Sequence, residues 1–167
     1  NERQLNIIND LLQVAQIDAG KVTVSPEECD ANALIAAVAA EQKGNITRRG
    51  QAIVMTAPDR PAVVWADPLR LRMVFDNLID NASKYSPEHT IIRVAIRELQ
   101  GEVTIEIADE GIGIAPADRA KLFQKFSRIK GESNKGIEGT GIGLYLVKQI
   151  IEAHGGRVGL ESRPGEG

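Results

Sequence analysis

The sequence is short of residues on which several protein classes depend. Cys29 is the single cysteine among 167 residues, which excludes an internal disulfide framework and a multi-cysteine zinc site and suits a reducing compartment. Aromatic residues make up 4% of the chain, too few for the stacking platforms of single-strand nucleic-acid binders. No block rich in Lys and Arg stands out and the formal net charge is −3, so neither nucleic acid nor an anionic membrane surface is the expected partner. The longest apolar run, ALIAAVAA at 33–40, is far short of the roughly 20 residues that span a bilayer, and the N-terminus carries no signal-peptide pattern. The expectation is a soluble, cytoplasmic chain. The first residue is not Met and the closing RPGEG reads as a turn with nothing after it, so the chain is expected to be cut from a larger protein. Any anchor of that parent in an inner membrane would lie in segments outside this chain.

What is present points to mixed α and β structure. The opening NERQLNIINDLLQVAQIDAGK places Leu5, Ile8, Leu12, Ala15 and Ala19 on one helical stripe and Ile7, Leu11 and Val14 on a second, with Gly20 as a C-cap. A helix with two apolar stripes fits a bundle or dimer helix; a helix docked on the domain is the competing reading. KVTVS (21–25) reads as a strand, and Asp30 as the cap of a helix from Ala31 to about 44–50. AIVMTA and AVVWA read as strands in a hairpin-like pair around PDRP, with Trp65 expected in the core. Asp67 and Pro68 open a further helix, and TIIRVAIREL and EVTIEIAD form an antiparallel pair around Gly101. A short helix is expected near 116–126, then a long loop. LYLVKQIIEAHGG reads as a helix closed by Gly155, and RVGLES as a final strand. Without strict βαβ alternation, the pattern predicts a two-layer α+β sandwich.

Three stretches carry candidate chemistry. In DNLIDNASKYS (76–86), Asn77, Asn81 and Lys84 share a narrow sector of a helix whose core stripe is Leu71, Val74, Phe75, Leu78 and Ala82. An asparagine oxygen is a hard, neutral donor suited to Mg²⁺ that already sits on phosphates, and a lysine adds a point charge there. In IADEGIGI, Asp109 ends a strand and could accept from the amino group of adenine, while Gly111 and Gly113 permit close backbone approach. GTGIGL (139–144) leads into a helix N-terminus, where free N–H groups favour phosphate. Each has a plain structural alternative: an exposed polar face, an acidic turn, a glycine-rich loop. No GxxxxGK[ST], HRD or DFG segment occurs, which excludes P-loop and protein-kinase-type chemistry.

Taken in order, DNLIDNASKYS, DEGIGI, LFQKFSR and GTGIGLYLVKQIIEAHGG resemble the N box, first glycine box, F box and second glycine box of the ATP-binding domain of sensor histidine kinases. That superfamily also holds gyrase-type, chaperone and mismatch-repair ATPases. The resemblance implies an α/β sandwich, a mixed sheet with helices on one face, that holds ATP and Mg²⁺ beneath a lid formed by residues 115–140. It implies Asn81 as the metal ligand, Asn77 in phosphate and water contacts, and Lys84 and Tyr85 beside the nucleotide. Asp109 would take the adenine amino group, with Gly111, Gly113 and Ile114 around it. Gly139, Thr140, Gly141, Gly143 and Leu144 would line the phosphates, and Arg128, following Phe123 and Phe126 of the F box, would reach the γ-phosphate. Asn77, Lys84 and Arg128 are the residues implied to act in transfer.

The resemblance divides the chain into residues 1–22, the C-terminal part of the second dimerisation and phosphoacceptor helix, and residues 23–167, the catalytic domain. Implied partners are the protein's own dimerisation domain in a homodimer and a response-regulator receiver domain. Two departures stand out. The last strand of the family, which follows GEG, is missing, and neither His89, in the turn SPEHT, nor His154, at a helix end, resembles the phosphoacceptor. The competing function is a nucleotide sensor or ATP-driven clamp. Clamp relatives carry a glutamate where Asn77 stands, and an amide cannot act as a general base.

Overall fold

The structure, a computed structural model, describes residues 8, 12, 15, 23–128, 137 and 139–167. Strand β1 (Glu27–Asp30) runs directly into helix α1 (Ala31–Arg48). The turn between them is fixed by the Asp30 carboxylate, which accepts from the N–H groups of Asn32 at 3.0 Å and Ala62 at 3.2 Å. This N-cap satisfies donors that the first helical turn leaves without a partner. Ala31, Ile35, Val38, Ala39 and Ile46 form the buried face of α1, and the helix gives way to Gly50 in the left-handed region at φ +66°.

Strands β2 (Ala52–Thr56) and β3 (Val63–Ala66) follow, then helix α2 (Pro68–Tyr85) and the hairpin of β4 (Ile91–Leu99) and β5 (Glu102–Ala108). Strand β4 is the centre of a three-stranded mixed sheet, parallel to β2 and antiparallel to β5, with Ile53 opposite Ile92 and Ile96 opposite Ile105. Ile92, Val94 and Ile96 turn into the core while Arg93 and Arg97 alternate outward, the period-2 pattern of a sheet with one buried face. The hairpin turn uses positive φ at both Gln100 and Gly101, matching the twist of the strands. The buried face is covered by α1, by α2 through Leu71, Val74, Phe75, Ile79 and Ala82, and by helix α4 (Gly143–Ala153) through Val147 and Ile150. Between β5 and α4 lies the short helix α3 (Pro116–Arg119). None of the described helices is long and apolar enough to cross a membrane.

Several expectations are corrected. Among the described residues the first strand is Glu27–Asp30 rather than 23–25 of KVTVS, because its partner is β3, with Cys29 opposite Val64. AIVMTA and AVVWA therefore form no hairpin. Their connection is drawn instead to the start of α1, where Ala31 N–H bonds Ala62 O at 2.9 Å and the Asn32 amide donates to Arg60 O at 2.9 Å. Trp65 is 68% exposed, not core, since the alternation of β3 turns Val64 and Ala66 inward. The expected helix at 116–126 stops at Arg119. Beyond it the backbone makes i→i+3 bonds such as Lys121 N–H to Asp118 O, and Phe126 takes a positive φ of 57°. RVGLES carries no strand pairing among the described residues. Its Arg157 instead forks onto Glu102 of β5 at 3.0 and 2.7 Å. Of the N-terminal helix, Ile8, Leu12 and Ala15 are helical and exposed. The rest of it, with Gly20, and residues 129–136 and 138 of the expected lid lie outside the described residues.

Candidate functional site

Helix α2 starts at the N-cap Asp67, whose carboxylate accepts from Arg70 N–H at 3.1 Å and Ser25 N–H at 3.0 Å. Burial pushes this carboxyl up, but the N–H groups of Ser25, Arg70 and Leu69 outweigh it and hold the group below the usual carboxylate range. His154, at the end of α4, clamps the same corner. Its Nε2 accepts from Asp67 N–H at 2.9 Å, and in the matching tautomer Nδ1 donates to Ile150 O at 2.8 Å. The expected helix-end role of His154 is thus observed, and it also ties α4 to α2.

With the core stripe pinned, α2 presents Asn77, Asn81 and Lys84 away from the sheet. All three are half-buried. The Asn77 amide donates to Met73 O at 2.8 Å, which directs its Oδ1 at α4. A Cβ built on Gly143 would lie 2.4 Å from that oxygen, so a side chain at this position would displace the Asn77 carboxamide. The Asn81 carboxamide makes no hydrogen bond among the described residues, leaving its oxygen free to act as a ligand. Lys84 pairs with Asp80 at 2.5 Å. At the end of α2, Tyr85 O accepts from Ile112 N–H at 3.3 Å, joining the N box to the first glycine loop.

In that loop Asp109 accepts from Gly111 N–H at 2.8 Å. Burial pushes the Asp109 carboxyl above its ordinary value, and the Gly111 bond only partly offsets this. The space freed by the glycines is already occupied: a Cβ on Gly111 would meet Asp109 Oδ1 at 2.6 Å and Tyr85 O at 2.8 Å, and one on Gly113 would meet Arg163 O at 1.8 Å. The C-terminal turn is fastened there by Gly165 N–H to Ile112 O at 2.8 Å and Ile114 N–H to Ser162 Oγ at 2.8 Å. Arg119 also donates to Ser162 O.

The second glycine loop meets the F box. Gly141, at φ +72°, packs on Ser127 O, and a Cβ there would lie 3.1 Å from Cγ of Arg128. The Arg128 guanidinium donates to Ile137 O, and Lys125 lies over the Tyr145 ring at 5.1 Å. Gly139 is open, with nothing within 4 Å of an added Cβ. Thr140 and Leu144 flank the start of α4 half-buried. The N-cap residue of that helix, Ile142, makes no side-chain hydrogen bond, and the first turn and dipole of such a helix favour an anion.

The structure therefore joins the N box to both glycine loops, and the second glycine loop to Arg128. Among the described residues Asp109 and Arg128 make no contact with each other; a ligand spanning the loops would have to link them. The sequence reading missed Gln51 and Ser162, which hold the site's loops from behind. Pro87 is the available signal for Gln51, since a proline four residues after Ser83 leaves that carbonyl without a helical donor.

Comparison with known proteins gives the family. Residues 66–167 match the family described as Histidine kinase-, DNA gyrase B-, and HSP90-like ATPase. Over 99% of its length the chain is 36% identical to the circadian input-output histidine kinase CikA of Synechococcus elongatus. Over 99% it is 31% identical to the sensor histidine kinase WalK of Bacillus subtilis. It spans 22% and 27% of those two proteins, respectively. The crystal structure of full-length ShkA in complex with AMPPNP superposes on 98% of this chain with a TM-score of 0.86 at 28% identity, the match covering 34% of ShkA. With the N box, both glycine loops and the F box assembled on a mixed sheet, and with its residues 66–167 matching throughout, the chain belongs to the histidine kinase-, DNA gyrase B- and HSP90-like ATPase family.

Proposed function

We propose that this chain is the ATP-binding catalytic domain of a two-component sensor histidine kinase. It transfers the γ-phosphoryl group of ATP to a histidine on a phosphoacceptor helix, from which a response-regulator aspartate takes it. The observation that carries the reading is the packing of Asn77 Oδ1 against Gly143, which sets the polar face of α2 beside the N-terminus of α4. In this reading Asp109, Gly111, Gly113, Ile114 and Tyr85 surround the adenine. Gly139, Thr140, Gly141, Gly143 and Leu144 line the phosphates, and Asn77 orders phosphate and water.

The unpartnered oxygen of Asn81 fits Mg²⁺, which takes few protein ligands and keeps waters and phosphate oxygens for the rest. Held by Asn81, Mg²⁺ would supply neutralisation of phosphate charge. Lys84 would turn from Asp80 to the phosphates, and Arg128 from Ile137 O to the γ-phosphoryl group. An imidazole nitrogen of the acceptor forms the new P–N bond as the bond from phosphorus to the ADP oxygen breaks, and ADP leaves with the electron pair. Neither histidine of this chain suits that part: His154 holds two helices together, and the His89 ring lies against Gly50. Ile8 and Leu12, apolar and exposed on a helix, support residues 1–22 as part of a dimerisation helix of a homodimer, with 23–167 as the catalytic domain.

The test is phosphotransfer in trans. Incubated with radiolabelled ATP, the chain alone should remain unlabelled, and a separately supplied phosphoacceptor helix pair of its parent protein should become labelled. Arg128→Ala should lower transfer by about 10²-fold or more while ATP binding changes little, as for a contact to charge developing in the transition state. Steady hydrolysis of ATP with an unlabelled acceptor would favour the sensor or clamp reading.

A further inference from the structure

We infer that Gln51 is a positioning residue of the nucleotide site, acting through the C-terminus of α2. The inference rests on the nucleotide site proposed above. Gln51 lies between α1 and β2 and is 4% exposed, a place where a primary amide must have its donors and acceptor matched. Its Nε2 faces three carbonyl oxygens: Ser83 at 3.1 Å, Ser86 at 3.3 Å and Pro87 at 2.9 Å. Its Oε1 accepts from Ser83 Oγ at 2.6 Å.

The need for this amide is written in the backbone. In a continuing helix the Ser83 carbonyl would accept from the N–H of residue 87. Residue 87 is proline and has none. Helix α2 ends at Tyr85, with Ser86 in an extended conformation, so buried carbonyls at its end need a donor from elsewhere in the fold. Gln51 supplies it. Two residues earlier, the Arg49 guanidinium donates to Ser86 O at 3.2 Å, and Arg49 O accepts from His89 N–H at 3.3 Å. The connector between α1 and β2 thus grips the chain on both sides of Lys84 and Tyr85.

From there the contact passes to the first glycine loop. Tyr85 O bonds Ile112 N–H, and the same oxygen leaves no room for a side chain at Gly111. Gly111 N–H in turn holds the Asp109 carboxylate. Gln51 therefore sets where Lys84, Tyr85 and Asp109 stand while remaining behind the site.

The experiment compares Gln51→Met, close in shape and without the amide, with Ile46→Val, a buried change on α1. Both are followed by thermal melting and by calorimetric titration with Mg-ATP. For Gln51→Met we expect a cooperative melt and about tenfold weaker ATP binding, the loss of roughly one hydrogen bond's worth of alignment. In the trans assay KM for ATP should rise and kcat at saturation should fall, because Lys84, placed to act in transfer, is among the groups Gln51 sets. Ile46→Val should bind ATP as the wild type does, despite a lowered melting temperature. Ser83→Ala, which removes only the bond to Oε1, should weaken binding about threefold, and it decides the matter if Gln51→Met does not fold. Wild-type affinity in a folded Gln51→Met or in Ser83→Ala overturns the inference, as does an equal loss in Ile46→Val. A wild-type protein that binds no ATP overturns the nucleotide-site reading itself, and this inference with it.

Discussion

At the scale of single residues, the half-buried carboxyl of Asp109 opposes stability. Its carboxyl is desolvated at the end of β5, and one N–H bond does not restore its ordinary pKa. A carboxyl raised on folding stabilises the native state below its unfolded pKa, and that contribution is lost as pH rises through the folded value. At neutral pH the charge is therefore a cost that the fold carries. Asp109→Asn keeps an oxygen for Gly111 N–H and removes the charge, so its melting temperature at pH 7 should equal or exceed that of the wild type. ATP affinity should fall by about one to two decades, the worth of a hydrogen bond to a charged group. In the wild type, ATP affinity should begin to weaken on acidification above the usual carboxylate range, and this pH dependence should be absent from the variant. Calorimetry across pH checks both. The place of Asp109 at the end of β5, ahead of two glycines, was legible in the sequence. Gln51 and Ser162 were not, because their partners are carbonyls and N–H groups distant in the chain.

Among the elements, α2 was the most legible and β1 the least, since it lies at 27–30 and no strand was expected there. Asp67 and Pro68 announced the start of α2, and its 3.6-residue spacing named a core stripe that the structure extends with Ile79. The two strands around PDRP looked like a hairpin only because they are neighbours in sequence. Their hydrogen bonds go to β4 and β1, choices made by tertiary pairing that no local pattern encodes. The cap of α2 also joins elements, since Asp67 binds Ser25, Arg70 and His154 through its carboxylate and its N–H. Asp67→Ala should lower stability by about 0.5–2 kcal/mol, the usual worth of an N-cap. Because this carboxyl is held below its ordinary range, its contribution is present above the unfolded pKa and lost as pH falls through the folded value. The gap between wild type and variant in denaturant titrations should therefore narrow below about pH 4. A gap unchanged down to pH 2 would show that the carboxylate's charge plays no part.

For the molecule as a whole, the sandwich exists to bring distant segments to one edge. The two-layer α+β sandwich was readable from the mix of period-2 and period-3.6 patterns, and the motif order pointed to the family and, through it, to the mixed sheet. The way the motifs meet was not readable. Asn77 touches Gly143, Tyr85 braces Gly111, and Ser127 and Arg128 pack on Gly141, each through a backbone approach that only three-dimensional packing defines. The central claim is that these contacts enclose one nucleotide site. Amide hydrogen exchange of the chain with and without Mg-ATP tests it most directly, since protection follows local closure of the backbone. The account predicts that Mg-ATP slows exchange at 77–85, 109–114 and 139–144 together, and leaves β1, β3 and the tip of the β4–β5 hairpin unchanged. Protection confined to one of those segments, or centred on the β1–β3 ribbon, would contradict it.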